Sequence, residues 1–102
     1  MSDQSKAPPL DEKKQEATAI LSQASNFIYI NNTYAHASNW DIRLVFCERL
    51  PSGKPEIKAA ICMSHSHAKA LVDLLAKQVE GVEKAFGPIR FEPLKGSEGT
   101  ED

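Results

Sequence analysis

No stretch of this sequence is apolar over the roughly 18 residues that a membrane span requires. Met1 to Glu16 is polar and has no apolar core of the kind a secretory signal carries. The chain is therefore expected to be cytoplasmic and off the membrane. Cysteine is scarce, with only Cys47 and Cys62, and reduced, buried thiols are the plain reading in that compartment. A disulfide between them requires neighbouring strands in matching register. Glycine is scarce too: Gly53, Gly81, Gly87, Gly96 and Gly99 form neither a phosphate loop nor a dinucleotide fingerprint. No carboxylate pair recommends glycosidase chemistry. There is no basic excess, since 12 Lys and Arg stand against 14 Asp and Glu for a net charge of −2. Residues 27–91 are mildly basic, but their Lys and Arg are scattered, so nucleic acid is not an expected partner.

What remains fits one small domain. The chain has 102 residues, 41% of them hydrophobic and 25% charged, which is ordinary for a globular protein. Residues 1–9 read as a disordered, proline-ended leader and 92–102 as a disordered acidic tail. A short helix is expected over 10–25, with a thin apolar face. The domain proper spans 26–91.

Three strands are expected, over about 27–37, 40–50 and 56–63. The first is rich in aromatic and β-branched residues (FIYINNTYAHA). The second alternates, with Trp40, Ile42, Leu44 and Phe46 on one face and Asp41, Arg43, Val45 and Cys47 on the other. The third places Ile57, Ala59, Ile61 and Met63 together. Ser38-Asn39 and Pro51-Ser52-Gly53-Lys54-Pro55 are the intervening turns. A long helix follows over about 65–86, capped by Ser64 or Ser66 and stopped at Gly87-Pro88. The stretch IRFEPL after it has the makings of a further short strand. The fold class is thus α+β: a three-stranded antiparallel β-meander followed by one long C-terminal α-helix, with disordered termini.

The helix carries a seam. Ala68, Val72, Leu75, Val79, Val82 and Phe86 are spaced alternately four and three residues apart, as in coiled-coil packing. At about 22 residues the helix is roughly 33 Å long, more than a three-stranded sheet needs as cover. Homo-oligomerisation, with a dimer favoured, follows from that surplus. Val72, Leu75, Val79, Val82 and Phe86 form the expected interface. The competing arrangement is a monomer whose N-terminal segment folds back over the core.

Candidates for chemistry are few. Cys62, His65 and the more distant His36 are types that ligate zinc, and Cys-x-x-His is a chelating spacing. Yet His65 and His67, two apart on a helix, do not share a face, so solvated first-turn histidines are the plainer reading. No metal or cofactor is expected. A nucleophile at Cys62 or Ser64 has no adjacent orienting carboxylate, so no enzymatic activity is expected. Phe27, Tyr29, Tyr34, Trp40 and Phe46 with Arg43, Arg49, Lys54 and Lys58 are the ingredients of a single-strand stacking surface, though a small core also needs those rings.

Four motifs occur in order: Tyr29-Ile30-Asn31, then Trp40 through Phe46, then Met63-Ser64-x-x-x-Ala68-Lys69-Ala70-Leu71, then Glu83-x-x-Phe86-Gly87. Over residues 27–89 the chain resembles a family of small prokaryotic proteins, domain of unknown function 3467. Ile30 departs from that pattern's small residue, and Cys47 stands where the pattern has a glycine, which leaves the register at that point open. The resemblance implies no activity and no catalytic residues. The topology is also similar to that of export chaperones of the SecB type, a likeness of fold that does not license function. The leading expectation is a non-enzymatic homo-oligomeric protein-interaction module. Single-stranded nucleic-acid binding and zinc binding are the alternatives.

Overall fold

The alternating segment around Leu44 needs a strand on each side, and two bonded turns supply them. At the first, Ser38 donates its amide to the Asp41 carbonyl at 2.9 Å. Its hydroxyl accepts from the amides of Trp40 at 3.0 Å and Asp41 at 3.1 Å. A serine here does what turn serines do generally, satisfying backbone donors the ladder cannot reach. At the second, Leu50 N donates to Lys54 O at 2.9 Å and Gly53 N to Leu50 O at 2.8 Å. Gly53 holds φ +92°, a conformation that favours glycine.

The computed structural model describes residues 10–94, so the expected leader over 1–9 and the last part of the tail, 95–102, lie outside the described residues. The element order is α1 (Leu10–Gln23), β1 (Asn32–Ala37), β2 (Ile42–Arg49), β3 (Pro55–Met63) and α2 (His65–Phe86). The strands form one antiparallel sheet in the order β1-β2-β3. This is the expected α+β meander followed by a long helix.

Register assigns the two faces. Thr33–Phe46–Ala59, Ala35–Leu44–Ile61 and Ala37–Ile42–Met63 are cross-strand rows, and side chains paired across strands share a face. That face is apolar apart from the Thr33 hydroxyl. The rows of the other face are His36–Arg43–Cys62 and Tyr34–Val45–Ala60, followed by Asn32–Cys47–Ile57, and this face is mixed.

Several expectations need correction. The first strand begins at Asn32, not near 27. β2 ends at Arg49, which the register places opposite position 30, so residues before that run past its end. The Asn31 side chain also takes the Arg49 amide at 2.7 Å, closing the ladder. The second strand covers Ile42–Arg49 instead of 40–50, and Trp40 sits in the turn, 85% exposed. Phe46 pairs with Ala59 but Cys47 with Ile57, so Lys58 is an extra residue, a β-bulge. Ile57 therefore leaves the Ala59–Ile61–Met63 face. Residues 87–94 form no strand.

α2 starts as its sequence requires. Ser64 accepts the His67 amide at 3.0 Å through its side chain and the Ala68 amide at 3.0 Å through its carbonyl. Gly87, at φ +100°, donates its amide to Glu83 O at 2.8 Å. Replacing the cap, Ser64→Ala, is expected to cost about 1 kcal/mol, read as a lower urea midpoint with an unchanged slope. Gly81 lies mid-helix, and a Cβ there would meet nothing within 4 Å. Gly81→Ala is expected to stabilise by about 1 kcal/mol, measured by thermal melting. A fall in melting temperature would instead place another backbone against this glycine.

The described residues enclose little core. Extensive contacts join only β1 with β2 and β2 with β3. Neither helix is packed broadly onto the sheet. Among the described residues only Cys47 is fully buried, at 1% exposure.

Candidate interaction surface

Three apolar surfaces stand open. The first is the sheet face built on Ile42, Leu44 and Phe46, half-buried at most, with Ile61 exposed at its rim. The second is the α2 seam. Val72 is 68% and Phe86 87% exposed, and Leu75, Val79 and Val82 between them are also open. Asp73 with Lys77 at 3.0 Å and Glu80 with Lys84 at 3.8 Å form i,i+4 ion pairs on the helix. Such pairs are worth little energetically, but they mark the side of α2 that suits water. The seam and this charged side make α2 amphipathic in the sense of a helix that covers something. The third surface is an open groove lined by Ala17, Ile20 and Leu21 of α1 and by Leu74, Leu75 and Gln78 of α2, with Lys13, Lys14 and Glu16 of α1 also on it. Sequence spacing picks out the seam. It misses the groove, because the thin apolar face of α1 gives no sign of where that helix lies.

The mixed sheet face is organised by Arg49. Its guanidinium donates to Gly53 O at 2.6 Å and to the Tyr34 hydroxyl at 3.1 Å, and Asn32 Nδ2 donates to the same hydroxyl at 3.3 Å. Arg43 lies 3.4 Å from the Asp41 carboxylate. The rings expected for stacking do not gather on one face. Phe46 belongs to the apolar face, Tyr34 to the mixed face, Trp40 to a turn, and Phe27 and Tyr29 to the segment before β1. Of the lysines, Lys54 is in the β2–β3 turn and Lys58 is held elsewhere.

His36 and Cys62 flank Arg43 in one cross-strand row, two strands apart. His65 places its Nε2 2.9 Å from the Ser38 carbonyl. A carbonyl only accepts, so this bond fixes the tautomer with hydrogen on Nε2 and ties the start of α2 to the β1–β2 turn. Among the described residues no three His, Cys, Asp or Glu side chains converge as a metal set. Cys62 lies opposite Arg43, four residues along β2 from Cys47, or about 13 Å at 3.3 Å per residue. The two thiols are free.

The bulge has an electrostatic role that alternation conceals. Glu48 and Glu56 are directly opposed, a pairing that is unfavourable by itself. Lys58, displaced by the bulge, reaches Glu56 at 3.2 Å and Glu48 at 3.6 Å. The hydrogen bond and charge of Glu56, aided by Glu48 and opposed by partial desolvation, raise the Lys58 ammonium above its ordinary value. A raised lysine stabilises the fold below its unfolded value, about 10.4, and that stabilisation is lost as pH rises through the folded value. Lys58→Gln is therefore expected to melt at a lower temperature than wild type at pH 7. The gap should narrow above about pH 10.4, as melts across that range will read out.

No described helix is long and apolar enough to cross a membrane. No curated protein and no solved structure is significantly similar to the chain. A family model does match, over residues 1–91, and it includes the whole sheet, both helices and every surface described above. The chain belongs to the family described as protein of unknown function DUF3467.

Proposed function

We propose that this chain is a non-enzymatic, homo-oligomeric interaction module, a dimer in its simplest form, whose apolar surfaces bind a second copy and then a protein partner in the cytoplasm. One observation carries the reading: large apolar side chains from α1, the sheet, α2 and the connecting segments are 37–87% exposed, against a single fully buried residue among those described. At about 100 Å² apiece they present on the order of 1,500–2,000 Å² of apolar surface per copy. Covering half of that on each of two copies reaches the size of a stable interface. A domain of this size left so open would not outweigh the conformational entropy of its own ordering. The non-enzymatic part rests on the residues: among the described residues no serine or cysteine side chain is hydrogen-bonded to a histidine ring.

A native mass spectrum of the purified, untagged chain tests this reading. A metal-free dimer or tetramer is expected. A monomer at every concentration would contradict self-association. A stoichiometric increment matching zinc would move Cys62, His65 and His36 to the centre of the account.

A further inference from the structure

The segment just before β1 is poorly satisfied among the described residues. Residues 25–30 make no main-chain hydrogen bond and belong to no element. Their sequence, with Phe27, Ile28, Tyr29 and Ile30, has the composition most favourable to strands. Phe27 is 74%, Ile28 58% and Tyr29 69% exposed. From Tyr29 backward the segment overshoots β2, and no described strand takes it.

The adjoining edge is equally open. β1 is an edge strand, and Asn32–Ala37 contains neither proline, lysine nor glutamate. The opposite edge, β3, begins with Pro55 and carries Glu56 and the bulged Lys58, which are the features that blunt edge pairing. The charge pattern is more telling. Residues 17–40 contain no Asp, Glu, Lys or Arg, in a chain that is 25% charged overall. Antiparallel pairing of a strand with its own copy about a two-fold axis brings each residue near its equivalent, so any charge close to the axis would oppose itself. A segment without charge is what such pairing tolerates.

Resting on the self-association reading above, we propose that residues 27–37 of two copies pair with each other antiparallel across a two-fold axis near Asn31 and Asn32. The two three-stranded sheets become one six-stranded sheet, and the overshooting residues find their backbone partners on β1 of the second copy. Pairing that keeps the faces consistent sets odd residues against odd residues. With the axis at Asn32, Tyr29 lies opposite Ala35 and Phe27 opposite Ala37 of the second copy. Large rings then lie over small residues on the apolar face, and that face runs uninterrupted through the dimer.

Hydrogen exchange of the full wild-type chain tests this, read by mass spectrometry at an assembling concentration and after dilution, with the native mass measured in parallel. The expected result is an oligomer in which alternate amides of 27–30 exchange at least about 100-fold slower than unstructured amides, and a loss of that protection on dilution to monomer. The Asn31 amide, bonded to the Cys47 carbonyl within one chain, is not a reporter. An oligomer in which every amide of 27–30 exchanges at the unstructured rate would overturn the strand pairing and leave self-association standing. A monomer at every concentration would overturn both, whatever the exchange at 27–30.

Discussion

Lysine at both Val72 and Val79 is expected to turn the proposed assembly into monomers. The two valines are one helical repeat apart on the α2 seam and are largely exposed in the single chain. Each is thus available to be covered by a second copy. At about 1 kcal/mol for the remaining apolar surface of each side chain, and two positions on each of two copies, the double variant forfeits about 4 kcal/mol. That is roughly a thousandfold in Kd, before the cost of desolvating the new ammonium groups. Sedimentation at micromolar concentration is the measurement. Control substitutions at Asp73 and Lys77, on the ion-paired side of α2, should leave the mass unchanged. A double-lysine variant with the wild-type mass would move the interface off the seam.

Phe46→Ala is the second large effect. The ring occupies the middle strand of the apolar face, with Thr33 and Ala59 as its cross-strand neighbours. Truncating a phenylalanine in such a position costs about 3 kcal/mol. At 4–8 °C per kcal/mol for a domain of this size, the melting temperature should fall by about 12–24 °C. Ile57→Ala is the comparison. Uninterrupted alternation would place Ile57 with Ala59 on the face of Phe46, but the bulge at Lys58 puts it opposite Cys47 on the other face, where it is 70% exposed. Its loss should cost under about 1 kcal/mol, the range of ordinary surface positions. Equal losses at the two sites would argue against the bulge.

The contrast between these residues shows what a sequence exposes. Ile42, Leu44 and Phe46 are legible because a central strand must alternate when its two faces differ. α2 is legible because Ser64 and Gly87 cap it locally and its seam repeats. What escapes is everything set by a partner. Phe27 to Ile30 read as strand because their side chains favour it, yet pairing also needs an opposing backbone, and β2 turns away at Leu50. The bulge escapes because an inserted residue changes facing without changing composition. The Cys47 position, where the family pattern has a glycine, does adjoin the irregularity, but the extra residue lies on β3. The long-range bond from His65 to the Ser38 carbonyl has no local signature either, since 27 residues separate them. The exposed first-turn histidine thereby also braces the helix against the turn.

The central claim is that the fold is completed by a second copy. Thermal unfolding followed by far-ultraviolet circular dichroism over a hundredfold range of protein concentration tests it most directly. For a chain whose folding is coupled to assembly, the melting temperature rises with concentration by mass action, and the Val72→Lys, Val79→Lys variant loses that dependence together with its cooperativity. A single cooperative transition at the same temperature throughout the series would contradict the account, because it would mean that one chain closes its own core.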